Sequence, residues 1–267
     1  MDFYLCPLWF YSSPFFLYLL FPGQVVKNYL IAEASNKAPS YRLYIDKVSL
    51  LPVVCISAKN LVWSSIEKPG SVLKLEELNI NPSILQLFRD KTHLKIKARG
   101  YKGTANGSVT YDKMFSINGS SVTEMGLKNI RIDDLSFLEN ILSRQMTGKL
   151  NGGFTFRGDY GQWTAGNGEL HFTALKGTYA LLEPLGGLDK LVFRKITGNL
   201  KLQDGKLKIT RLELTGQDLQ CTHKGDIHLE KSDIRQSGLN LSGKIKSQAK
   251  KSGPIFFSVT GPCLMPK

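Results

Sequence analysis

Acidic residues are scarce in this chain. Asp and Glu number 22 against 35 Lys and Arg, which leaves a net charge of +13 over 267 residues. Histidine and cysteine are scarcer, with four of each. Cys6, Cys55, Cys221 and Cys263 form no C-x-x-C pair and no zinc-ligand spacing, which excludes the common cysteine metal and redox motifs. One disulfide with a spare thiol and three buried thiols in the body both stay open. There is no G-x-S-x-G elbow, no G-x-x-x-x-G-K-[ST] phosphate loop and no H-E-x-x-H pair. No two acids are placed for acid–base work. The expectation is a protein that is not an enzyme and holds no cofactor. Cys221-Thr-His223-Lys-Gly-Asp226-Ile-His228 is the one cluster resembling a metal site, and its plainer reading is a strand with polar residues outward. His93 and His171 read as exposed strand residues.

Charge is wholly missing from one stretch. Phe3–Phe21 has none, and the uncharged run continues to Val26. Nine of the aromatics fall inside it. As a helix, nineteen residues span about 28 Å, close to the hydrocarbon thickness of a bilayer. A single-pass anchor over residues 1–22 is the favoured reading, with a cleaved signal peptide and a core helix as rivals. A signal peptide wants basic residues before the run and small residues soon after it. Here Met1-Asp2 precedes and Phe21-Pro22-Gly23 follows.

What remains is basic and strand-like. Residues 23–40 read as an amphipathic helix and linker, with Val25, Val26, Tyr29 and Leu30 on one face. From Tyr41 the apolar period changes from 3.6 to 2. Leu94-Lys-Ile-Lys, Leu200-Lys-Leu-Gln, Lys206-Leu-Lys-Ile and Gly238-Leu-Asn-Leu alternate in the manner of strands with one buried and one wet face. Asn106-Gly107, Asn118-Gly119, Asn151-Gly152-Gly153 and Asp204-Gly205 are expected to turn between them. Pro82–Arg89 and Asp133–Arg144 are the short helix candidates, the second capped by Asp134. A degenerate glycine-plus-strand repeat recurs through the body. The expected fold is therefore all-β, mainly antiparallel: a meander forming an open curved sheet or groove over residues 41–267. Leu94, Ile96, Leu200, Leu202, Leu207, Ile209, Leu239 and Leu241 are expected to share one apolar layer, as core or groove lining. Much of the +13 is then the polar phase of strands. The run at Lys244, Lys246, Lys250 and Lys251 is the candidate contact for anionic headgroups. Base-stacking aromatics are not interleaved with it, so no nucleic-acid partner is expected.

The ordered motifs resemble the type II secretion system protein N family (general secretion pathway protein N). The likeness begins at Phe21-Pro-Gly-Gln-Val-Val26. It continues through Pro82-Ser-Ile-Leu-Gln-Leu-Phe88, Gly100–Gly107 and Met146-Thr-Gly-Lys-Leu-Asn-Gly-Gly153. It is densest over Phe193–Lys244, with Ile196-Thr-Gly-Asn-Leu-Lys-Leu-Gln-Asp-Gly205 and Gly225-Asp-Ile-His-Leu229. Similar glycine–strand repeats occur in AsmA-like and lipid-transfer envelope proteins. The resemblance implies a bacterial inner-membrane protein with one span and a periplasmic β body. It would serve as an accessory of type II secretion by protein–protein contacts with secretion components. The rival expectation is an AsmA-like body whose groove binds or transfers lipid, making lipid a second candidate partner.

Overall fold

The computed structural model describes residues 20–51, 55–66, 72–83, 91–112, 119–136, 138–139, 144–185, 188–217, 219–230, 236–247 and 253–262. The predicted anchor falls almost wholly on residues 1–19, outside the described residues. Among those described, no helix is long and apolar enough to cross a membrane.

Among the described residues one helix, α1 (Gly23–Lys37), precedes fourteen strands. They are β1 (Tyr41–Tyr44), β2 (Lys47–Leu51), β3 (Cys55–Ser65), β4 (Val72–Pro82), β5 (Thr92–Gly100), β6 (Gly103–Tyr111) and β7 (Ser120–Arg131). There follow β8 (Lys149–Asp159), β9 (Asn167–Leu185), β10 (Leu188–Gln203), β11 (Lys206–Gly216), β12 (Leu219–His228), β13 (Gly238–Ser247) and β14 (Ile255–Pro262). All belong to one open antiparallel sheet. From β3 to β14 each strand pairs with its successor in the chain, while β1 and β2 lie end to end along β3. Apart from β1 with β3, every pairing thus joins strands adjacent in the chain, the arrangement with the least loop-closure cost.

Glycine has two distinct uses in this sheet. Asp204-Gly205 turns between β10 and β11 with φ of 51° and 73°, as a two-residue hairpin demands. Asn106-Gly107 and Asn151-Gly152-Gly153 do not turn; they lie inside β6 and β8. Sequence alone misassigns them because Asn-Gly also occurs where a neighbouring side chain lies flat across the strand. The Phe172 ring covers Gly198, its direct cross-strand partner, and Phe257 covers Gly243 in the same way. A Cβ at either glycine would meet the ring. The β5–β6 turn uses Tyr101 and Lys102 instead, both at positive φ (53° and 57°). Tyr101 is held there by its hydroxyl, which donates to the Val72 carbonyl (3.3 Å) and accepts from the Lys74 N–H (2.6 Å).

The helix face is rotated from the expected one. Val26 and Leu30 pack on the sheet with Phe21, while Val25 and Tyr29 are exposed. Their contacts are Ile45, Val48, Ala58 and Leu61, all buried. Lys27 shares the inward side, where its Nζ donates to the Asp46 carbonyl (3.0 Å). Of the two short helix candidates, residues 84–90 lie outside the described residues. In the second, Ile132–Asp134 forms a 3-10 turn and Ser136, Leu138 and Glu139 are helical, while residues 137 and 140–143 lie outside the described residues. Asp133, rather than Asp134, ties this connection to β8 by accepting from the Gly148 N–H (3.2 Å). Ile132 is buried there against Ala174, Phe193 and Ile196.

Candidate functional site

Directly opposed residues in an antiparallel ladder point to the same face, so the registers sort the side chains. One row runs Leu94, Val109, Thr123, Phe156, Gly168, Leu202, Leu207, Ile227, Leu239 and Gly261 from β5 to β14. The next runs Ile96, Gly107, Met125, Phe154, Leu170, Leu200, Ile209, Gly225, Leu241 and Val259. All eight residues expected to share an apolar layer therefore stand on two neighbouring rows of one face. Seven of them are only half-buried; Ile209 alone is buried.

The opposite face is mostly polar. Lys95, Ser108, Glu124, Thr155, Glu169, Lys201, Lys208, Asp226, Asn240 and Thr260 form one of its rows. Lys201 pairs with Glu169 across the strands (2.7 Å), and Arg99 with Glu77 (3.0 Å). Lys244 and Lys246 also point this way, exposed and one residue out of phase with Leu239 and Leu241. Lys250 and Lys251 lie outside the described residues.

Two cavities lie against the apolar face. One of about 310 Å³ is walled by Phe154, Phe156, Leu200, Leu202 and Leu207, with Tyr160 and Trp163 at the end of the strands. The other, about 470 Å³, lies beneath the β7–β8 connection. Ile132, Leu138 and Met146 form its outer wall, and Leu150, Phe172, Ile196, Leu212 and Leu214 its floor. Leu170 lines both, so they adjoin.

The sequence reading placed one residue on the wrong side. His223 does not point outward. It stands in the row of Phe172, Gly198, Leu212, Gly243 and Phe257, on the apolar face, and it lines the larger cavity. Its ring meets Phe257 edge-on, with centroids 5.1 Å apart. Burial pushes its pKa below the usual imidazole value. Cys221 shares that face, a free and buried thiol whose pKa burial raises, and Cys55 is also free. The irregularity in this pairing lies on β11, where Thr210 and Arg211 stand against Lys224 alone. Alternation along β12 is therefore unbroken, and Asp226 and His228 face away from Cys221 and His223. Among the described residues no three His, Cys, Asp or Glu side chains gather as a metal site. The readable signal was Cys221-x-His223-x-Gly225-x-Ile227, which places the histidine in phase with apolar neighbours. Phe154, Phe156, Leu170 and Phe172 were likewise readable from their period of two.

Comparison of the chain with protein-family models, with curated proteins and with solved structures finds no match.

Proposed function

We propose that this protein holds lipid acyl chains in a groove formed by the apolar face of its sheet. The observation that carries this is the pair of Leu/Ile/Phe rows left largely half-exposed from β8 to β14. A sheet face so apolar is ordinarily covered by a second layer. Contiguous exposed apolar surface of this kind marks a site of interaction with something apolar. The polar opposite face, with its cross-strand ion pairs, keeps such a sheet in water. The membrane-anchored, periplasmic setting expected from the N-terminal run and the family resemblance is consistent with this role and is part of the proposal.

Native mass spectrometry of the full chain, extracted from its membrane and released from detergent, tests it. Lipid-sized adducts are expected, and they should weaken with Leu202→Glu, which puts a charge in the smaller cavity, while the circular dichroism of a β-sheet is retained. Absence of adducts from the wild type would refute the groove.

A second reading is an accessory of type II secretion that works by protein contacts. It rests on the resemblance over Phe193–Lys244 and on strand β14, whose Ile255 and Phe256 are exposed at 67% and 75%. Strand edges recruit partners by adding a strand to the sheet. Affinity capture from secretion-competent cells that recovers no secretion component would remove this reading.

A further inference from the structure

The rows that form the apolar face hold few groups able to hydrogen-bond. Thr123 is engaged with the Tyr160 hydroxyl. His223 is different: among the described residues no hydrogen bond engages its ring nitrogens, and its recorded contact is the edge of Phe257. A neutral imidazole has one N–H donor and one acceptor nitrogen. A mostly apolar cavity with a few polar residues on its lining, here His223 with His171 and Tyr179, is the usual form of a small-molecule site, and about 470 Å³ falls in the range of such sites.

The chemistry of the wall narrows the ligand. Among the described residues that line this cavity there is no Asp or Glu, and no Lys or Arg. A cationic head would find no acid, and a phosphate would find no base. A single carboxyl group needs only one donor, which His223 supplies, and the basic chain as a whole favours an anion. From His223 on β12 the lining extends to Leu127 on β7, five strand spacings or about 24 Å away. That is the reach of an extended long-chain acyl tail. Gly198 on β10 stands on this path, in the row that joins His223 to Leu127, and the Phe172 ring lies over it.

We propose that the larger cavity takes a long-chain fatty acid, its carboxyl group hydrogen-bonded to the His223 imidazole and its tail laid across β11, β10, β9 and β8 towards Leu127. This rests on the reading of the apolar face as a lipid groove and adds the class of lipid and the direction in which it lies.

The test compares two probes of equal chain length, palmitate and hexadecylammonium, binding to the full chain held in amphipol. The wild type is expected to prefer palmitate by about tenfold or more, the scale of one hydrogen bond to a charged group. His223→Leu should lose that preference and still bind both tails, while His223→Gln, which keeps a donor, should retain most of it. In parallel, palmitate with a photoreactive group near its carboxyl should label β11–β13. With the group at the far end it should label β7 and β8. Equal affinity of the two probes for the wild type, an unchanged preference in His223→Leu, or identical labelling from both ends would overturn the proposal and leave the groove standing. If neither probe binds, the groove reading fails with it.

Discussion

The two ends of this sheet carry the same alternating code and differ in what lies over it. At the β1–β4 end, α1 covers the apolar face, and Ile45 and Val48 keep only 2% and 5% of their surface. At the β10–β14 end, Leu202, Leu207, Leu239 and Leu241 occupy equivalent phases and stay half-exposed. The midsection is intermediate, because the β7–β8 connection buries Phe193 and Ala174 yet leaves a cavity beside them. Alternation thus specifies which side chains share a face. Whether that face becomes core or binding surface depends on whether the chain supplies a second layer.

The sharpest way to break this contrast is to cut one side chain at each end. Ile45→Ala should cost about 2–4 kcal/mol, since it removes buried methylenes and leaves a cavity. Leu239→Ala should cost about 1 kcal/mol or less in lipid-free protein, because much of that side chain already meets water. Chemical denaturation of the full chain measures both. Equal costs would mean that something covers β13 as α1 covers β3.

A somewhat smaller effect should follow from uncovering the closed end. Val26→Ser with Leu30→Ser removes two apolar contacts of α1 with the sheet. The expected loss is about 2 kcal/mol, and Val48 and Leu61 should gain exposure, so photoreactive lipid should begin to label β3 and β4. Labelling still confined to β7–β14 would show that the face alone does not suffice and that the cavities select.

Leu202→Glu works at the open end. A charge on a half-wet position should change stability by less than about 1 kcal/mol and should weaken lipid adducts through the smaller cavity alone. If adducts persist undiminished, the ligand occupies the larger cavity without the smaller one, and Leu170 separates two independent sites.

The open antiparallel meander was legible in the sequence because period-2 alternation survives in nearly every strand and loops are short. Placement of the eight Leu and Ile residues on adjacent rows was legible for the same reason: register follows from hairpins between chain neighbours. Three features were not. Asn106-Gly107 and Asn151-Gly152-Gly153 look like turns, because the ring or side chain that requires a strand glycine belongs to the next strand. The face of α1 depends on where Ile45, Val48 and Leu61 stand, which the helix's own sequence does not contain. His223 was misread because its residue type outweighed its phase, and its setting, at Phe257 and Leu212, lies on neighbouring strands.

The smallest expected effect tests that setting directly. Burial alone lowers the pKa of His223, with no charged group contributing, so the folded protein resists protonating it. The unfolded imidazole takes its proton near pH 6.5. Below that pH the unfolded state binds more protons than the folded one, so stability falls as the solution is acidified. Above it the group makes no difference. The melting temperature of the wild type should therefore decline from about pH 6.5 downward more steeply than that of His223→Leu, and the two curves should run parallel at pH 7–8. A ligand carboxylate at the ring would favour the imidazolium instead, so saturating palmitate should flatten the decline. Identical slopes for wild type and variant would place His223 in water, on the face with Asp226 and His228, and would undo the phase of β12 on which the open end rests.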